Sequence, residues 1–182
     1  PAEAPAADAP APAPEPNAAE ELSTGTPAEG GPGSTYVEAS FGDWEQRCVR
    51  EEDGSDPCQL YQLLKDPTGN PVAEVSIFGL PPGQQAVVGA TIIVPLETLL
   101  PQGLSFQIGT AAAKKYPFAW CSPIGCVSRI GFLADEVAAL KAGSTAKITV
   151  VPAVAPDKKV EATISLKGFT AGLAAVNKAN GL

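Results

Sequence analysis

From residue 36 onward, short apolar runs are separated by turn-forming residues at intervals of about eight to twelve positions, the spacing of sandwiches and barrels. Within these runs the alternation is often strict. Leu104, Phe106 and Ile108 alternate with Ser105 and Gln107, and residues 159–167 alternate over a longer stretch. Period two places one face of a strand against a core and the other in water. The pattern therefore predicts an all-β domain.

The runs between turn signals give the individual strands. Residues 86–94 are apolar on both faces, as a central strand is. Proline, glycine, asparagine and aspartate stop the runs at residues 66–71, 81–83, 101–103 and 156–157. We predict about nine strands, at residues 36–41, 44–49, 58–64, 73–77, 86–94, 104–108, 126–132, 147–151 and 159–167.

Two segments change to the helical period. Leu133, Val137 and Leu140 are spaced for one helix face, with acids in the first turn, Lys141 in the last and Gly143 as the stop. A second helix is predicted near the C-terminus, where Phe169, Leu173 and Val176 repeat this spacing. The prediction is thus a mostly β chain with one or two short helices.

Residues 1–33 differ in composition from the rest of the chain. They contain eight prolines and ten alanines and almost no large apolar side chains, so we expect a disordered, acidic tether followed by a single domain over residues 34–182. The tether holds six acids and no base, which leaves the remaining residues close to charge balance. Because no basic stripe is present to neutralise phosphates, the sequence argues against nucleic acid as a partner.

The start of the chain suggests export. It begins Pro-Ala-Glu-Ala and contains no methionine, from which we expect that a signal peptide has been removed. No run of eighteen or more apolar residues occurs, so no transmembrane segment is predicted. The expected location is the periplasm, the outer envelope or the exterior of a bacterial cell.

Four cysteines fall into two close pairs, Cys48 with Cys58 and Cys121 with Cys126. An even count in an exported chain indicates disulfides, and three connectivities are possible. Local pairing closes loops that the chain-entropy model values at about 2.8 and 2.2 kcal/mol, and we favour it. Zinc and a redox pair are alternatives, but only Cys121 to Cys126 comes near the spacing of a zinc knuckle, and its four intervening residues differ from the two of a C-x-x-C exchange motif.

No motif points to catalysis or to a cofactor. The chain has no histidine, no nucleophile elbow and no phosphate-binding loop, so we predict neither an enzyme nor a bound cofactor. Four acids between Cys48 and Cys58 could hold calcium, although they lack the order of a calcium loop and read more simply as a solvated loop. These acids are Glu51, Glu52, Asp53 and Asp56.

One segment mixes cations with aromatics. Lys114, Lys115, Tyr116, Phe118 and Trp120 have a composition that is enriched in protein interfaces, and they form our candidate interface. The alternative is that the aromatics pack in the core while the lysines face water.

The order of several short motifs resembles that of the invasion-associated locus B family over residues 36–176. The motifs are Phe41-Gly42-Asp43-Trp44, Cys48, Cys58-Gln59-Leu60, Val94-Pro95-Leu96, Gly103-Leu104, Pro117-Phe118, Cys121, Gly125-Cys126 and Ser165-Leu166-Lys167-Gly168-Phe169. The resemblance implies a periplasmic or envelope-associated bacterial protein with an immunoglobulin-like β-sandwich and no enzymatic residues. Its relatives include a factor linked to invasion of red blood cells, and similar proteins occur in bacteria that invade nothing.

Two hypotheses of function follow. The first is a binding or scaffolding module that engages an envelope or host protein through strand edges, loops or the tether. The second is a carrier of a small ligand, which requires an apolar pocket of roughly 300 to 1,000 Å³ with a few polar groups.

Overall fold

The computed structural model describes residues 30–182, and the predicted tether lies outside this range except for residues 30–33. The described chain forms eleven strands and two α-helices. The strands are β1 (Thr35–Phe41), β2 (Trp44–Val49), β3 (Cys58–Lys65), β4 (Pro71–Gly79), β5 (Val88–Val94), β6 (Leu104–Ile108), β7 (Lys114–Tyr116), β8 (Phe118–Ser122), β9 (Gly125–Phe132), β10 (Thr145–Val150) and β11 (Val160–Ser165). The helices are α1 (Ala134–Ala142) and α2 (Phe169–Ala179).

The strands form two antiparallel sheets. The larger has seven strands in the order β1-β2-β3-β4-β5-β9-β8, and the smaller has four in the order β11-β10-β6-β7. The all-β domain predicted from the alternation is confirmed, together with both helices, and so is the β-sandwich that the family resemblance implies. The immunoglobulin-like subtype stays a prediction, because the first five strands of the larger sheet follow chain order without a crossover.

The core lies between the sheets and is filled by the inward positions of the alternating runs. Leu60, Ile92 and Leu104 are among its fully buried side chains. The rings of Phe106 and Phe132 come from opposite sheets and meet at a centroid distance of 5.1 Å. Period two in the sequence thus identified the inward face of these strands.

Both helices contribute to this core. Val137 and Leu140 of α1 are buried, and the Glu136 carboxylate accepts the Leu133 backbone N–H at 2.9 Å, which satisfies one donor at the helix start. In α2, Phe169, Leu173 and Val176 are buried, as their spacing predicted. Among residues 30–182, no helix combines the length and apolar character needed to cross a bilayer.

Two of the motifs that carry the family resemblance meet at one end of the sandwich, residues 41–44 at the β1–β2 turn and residues 165–169 between the end of β11 and the start of α2. The Asp43 backbone N–H donates to the Lys167 carbonyl at 3.1 Å, and the Trp44 indole N–H donates to the Ser165 carbonyl at 2.8 Å. The Ser165 hydroxyl lies 2.6 Å from the Asp43 carboxylate. The rings of Trp44 and Phe169 pack at 5.7 Å. These motifs therefore join the two sheets.

Gln62, on the inward face of β3, completes this junction. Its side-chain N–H donates to the carbonyls of Asp43 and Ser165 at 3.2 and 3.1 Å, and its oxygen accepts the Ser165 backbone N–H at 2.9 Å. Gln62 is buried, so these bonds replace water that it cannot reach.

Candidate interaction site

The candidate interface predicted from the sequence is divided among three surfaces. The segment comprises β7, Pro117 and β8, and it carries the chain from the smaller sheet to the larger. Proline cannot donate to a strand ladder, so it suits the point where one strand ends and the next begins. The Ser128 hydroxyl donates to the Pro117 carbonyl at 3.0 Å and holds this crossing against β9.

Lys114 and Tyr116 lie on the face of β7 that is turned toward α1. The Lys114 ammonium forms an ion pair with the Glu136 carboxylate, N to O distance 2.6 Å, and the hydrogen bond to this carboxylate raises the pKa of Lys114. Burial, and then the negative charge of Glu136, raise the pKa of Tyr116. The ion pair links α1 to β7, and Tyr116 lines the cleft beside it.

Phe118 also faces inward. It pairs with Ser128 of β9 and is half-buried against the core cluster. The alternative interpretation, in which aromatics pack inside, applies to Phe118 and Tyr116. Lys115 points the other way, onto the outer face of the smaller sheet, because neighbouring side chains of a strand alternate.

Trp120 lies on the outer face of the larger sheet and is 51% exposed. It pairs with Val127, which pairs with Ile93, and the cross-strand row continues through Glu74 to Leu63. Leu63 is 40% exposed. An exposed indole at a sheet edge, followed by a mainly apolar row, is a surface that a protein partner could cover.

Beside this row lies a groove of about 280 Å³, which we call the outer-face groove. Ile124, at the β8–β9 turn, borders the groove and is 74% exposed. Glu74 supplies a carboxylate to an otherwise apolar lining. The remaining lining residues are Leu63, Pro71, Val72, Ala73, Ile93, Val94 and Pro95.

The disulfide between Cys121 and Cys126 fixes the position of Ile124. The two cysteines are directly opposed in the β8–β9 pairing, and Ile124 is in the turn that they close. Cys48 and Cys58 are likewise bonded and directly opposed, in β2 and β3. The local pairing favoured from the sequence is the pairing in the structure.

Sequence reasoning missed Leu63, Ile93 and Ile124. The sequence carries a signal for two of them, Leu63 and Ile124. Leu63 is adjacent to Leu64 in a predicted strand, so one of the two leucines must face outward. Ile124 is an apolar residue in a tight turn between two cysteines, where an apolar side chain has no core to enter.

The acidic loop between Cys48 and Cys58 uses two of its carboxylates internally. Asp56 accepts the Glu51 backbone N–H at 2.9 Å and the Tyr36 hydroxyl at 2.8 Å, and Asp53 accepts the Ser55 N–H at 2.9 Å. The first of these bonds, followed by the Tyr36 hydroxyl, lowers the pKa of Asp56. This arrangement stabilises the loop conformation.

The cleft that fits a small ligand best in chemical terms lies between α1 and the β6–β7 hairpin. It measures about 250 Å³ and combines Phe106 and Ile108 with the polar groups of Lys114, Tyr116 and Glu136. This volume is below the range predicted for a carrier, and the cleft lies beside the core rather than between the sheets.

Comparisons with known proteins agree with the fold. Residues 44–177 match the family model described as invasion associated locus B (IalB) protein. Two invasion protein B homologues, from Brucella abortus strain 2308 and from Brucella abortus biovar 1 strain 9-941, are each 29% identical over 141 residues, covering 78% of this chain and 79% of each relative. The crystal structure of invasion-associated protein B from Bartonella henselae superposes with a TM-score of 0.66 at 23% identity, over 79% of this chain and 98% of that one.

Proposed function

Because this chain belongs to the invasion-associated locus B family, we propose that it is a non-catalytic binding or scaffolding protein of the bacterial periplasm or envelope. Its partner is an envelope or host protein that covers the outer-face groove and Trp120. The observation that carries this proposal is the set of exposed apolar side chains on the outer face of the larger sheet, with Trp120 at the β8 edge, Ile124 in the adjoining turn and Leu63 on β3.

Three features support this function. The surface is built on a rigid sheet and is fixed by a disulfide, so little binding free energy would be lost in ordering this surface when a partner binds. The two disulfides suit an oxidising compartment outside the cytoplasm. The relatives from Brucella abortus are named invasion protein B homologues.

Site-specific photo-crosslinking in intact cells tests the proposal. A photo-reactive residue in place of Ile124 is expected to trap one defined protein, identified by mass spectrometry. Val154 is the matched control, because it is also apolar and is 79% exposed but does not line the groove. The adduct at position 124 should weaken when Trp120 is changed to Ser. Equal adducts at both positions, or none at position 124, would contradict the proposal.

The small-ligand carrier is the second candidate, and the mixed lining of the cleft beside α1 favours it. Thermal-shift measurements with a library of small amphipathic molecules test this function. A carrier should show a rise in Tm with one ligand class, and Ala139→Leu, which fills the cleft, should abolish that rise. A Tm rise that survives this substitution would exclude the cleft as the binding site.

A further inference from the structure

The outer face of the four-stranded sheet forms a second groove, of about 340 Å³, which we call the lysine groove. Lys115 of β7, Lys147 of β10 and Lys159 just before β11 line it. The remaining side chains are mainly hydrogen-bonding groups. They include Ser105, Gln107 and Thr149.

This groove is locally cationic on a body that is not. Glu161 is the acidic residue in its lining, and it pairs with Lys147 at 3.1 Å. Lys115 and Lys159 are exposed. By contrast, residues 30–182 contain fourteen acids and twelve bases. The groove is therefore a site that attracts a negatively charged group.

The acidic counterpart is present in the same chain. Residues 1–29 contain six acids and neither lysine nor arginine. We propose that the lysine groove binds this acidic N-terminal segment within the same molecule. The acids available to it are Glu3, Asp8, Glu15, Glu20, Glu21 and Glu29.

Chain length permits this contact. Residue 30 lies near the start of β1, and 29 residues can extend to about 95 Å. A globular body of this size is about 40 Å across, so the segment can reach any of its faces. Covalent attachment also gives the segment an effective concentration in the millimolar range, which allows weak charge pairs to be populated.

The groove also suits an extended segment. Three strand spacings separate β7 from β11, so Lys115 and Lys159 lie about 14 Å apart across the sheet. A proline-rich peptide rises about 3.1 Å per residue, so about five residues span this distance. Six acids distributed over 29 residues can therefore engage two or three lysines in several registers.

Carbodiimide crosslinking of the full chain tests the proposal, since this reagent joins carboxylates only to amines in direct contact. Peptide mapping should find acids of residues 1–29 joined to Lys115, Lys147 or Lys159 about fivefold more often than to Lys65 or Lys141. These two controls are exposed lysines that do not line the groove. The excess should fall in 0.5 M salt, to about the control level, because the charges are then screened.

Two variants of the full chain separate charge recognition from simple proximity. The combination E15Q, E20Q and E21Q should remove most of the excess at the groove lysines while leaving the body unchanged. The combination K65E and K141E should leave the yield of links to the groove lysines intact. Equal yields at groove and control lysines, links found only in crosslinked dimers, or an excess that survives neutralisation of the segment would overturn the proposal. The proposal would also be overturned if residues 1–29 formed no links to the groove lysines while an added anionic polysaccharide protected these lysines from crosslinking.

Discussion

The Gln62 side chain belongs to the larger sheet and hydrogen-bonds to Ser165 of the smaller sheet, so one polar residue links the two sheets. Removing it in Gln62→Ala leaves the Ser165 backbone N–H and the Asp43 carbonyl without their hydrogen bonds to this side chain. We expect the free energy of unfolding to fall by about 1–3 kcal/mol. Urea denaturation measures this change, and Gln85→Ala, at an exposed loop position, is the control. Equal effects of the two substitutions would show that the junction does not depend on Gln62.

Gly168 illustrates a different constraint at the same junction. Its φ is +87°, and a Cβ atom there would collide with the Phe41 carbonyl oxygen. Gly69 has a similar φ of +91°, but nothing lies within 4 Å of its Cβ position. Gly69→Ala should therefore cost about 1 kcal/mol from backbone conformation alone.

For Gly168→Ala we expect a loss of more than about 3 kcal/mol or failure to fold, because the collision adds to the backbone cost. Comparing the urea midpoints of the two alanine variants isolates the effect of the close approach. Similar urea midpoints would mean that the loops carrying Phe41 and Gly168 move apart at little cost in stability.

The Asp56 carboxylate makes loop stability depend on pH. Its pKa is lowered by the Glu51 N–H and the Tyr36 hydroxyl, so its contribution is present above the ordinary pKa of about 3.9 and is lost as pH falls through the lower folded value. Asp56→Asn should reduce stability at pH 7, and the difference from the unmodified protein should shrink below about pH 4.

Urea midpoints measured from pH 7 to pH 2.5 test this expectation, with Glu52→Gln as the control in the same loop. A difference between the unmodified protein and Asp56→Asn that is constant over the whole range would contradict it.

At the scale of elements, the alternating pattern predicted most of the structure. Each of the nine predicted strands overlaps an observed strand, and both helices are present. The two strands that the sequence did not predict are β7 and β8. β7 has three residues, two of them lysines, and the β8 pairing is irregular between Phe118 and Trp120, which interrupts period two. Neither strand shows the alternation of apolar and polar residues from which the other strands were predicted.

The same two strands explain why the candidate interface was only partly predictable. Composition identified the segment from Lys114 to Trp120 as unusual, but the sheet crossing at Pro117 decides which surface each side chain joins. Lys115 and Trp120 consequently lie on the outer faces of different sheets. A tertiary crossing depends on long-range packing, which local periodicity does not encode.

The Cys121–Cys126 bond gives the edge of the larger sheet a testable role. In the double variant C121S and C126S, we expect a loss of about 2 kcal/mol in stability and a weaker photo-crosslink from position 124, because the turn is no longer held. The matched variant C48S and C58S should cost about 3 kcal/mol without altering that crosslink. If the crosslink from position 124 were unchanged in both variants, binding at this surface would not depend on the Cys121–Cys126 bond.

At the scale of the molecule, the composition boundary near residue 33 predicts where a protease acts first. A glutamate-specific protease should cleave within residues 1–29 before it cleaves at Glu51 or Glu52, which lie in a loop closed by the Cys48–Cys58 bond. Limited digestion in 0.5 M salt followed by mass spectrometry measures this order. Early release of fragments from residues 34–182 would argue against a single compact domain.

The placement of the two disulfides bears on how the larger sheet would respond to a pulling force. Tension between the N-terminal end at β1 and a partner held at β8 would cross the six joints between its seven strands. Two of those joints, β2–β3 and β8–β9, are covalently closed. Rupture would then begin at β1–β2 or in the middle of the sheet, and the strand that holds the partner would be among the last to detach.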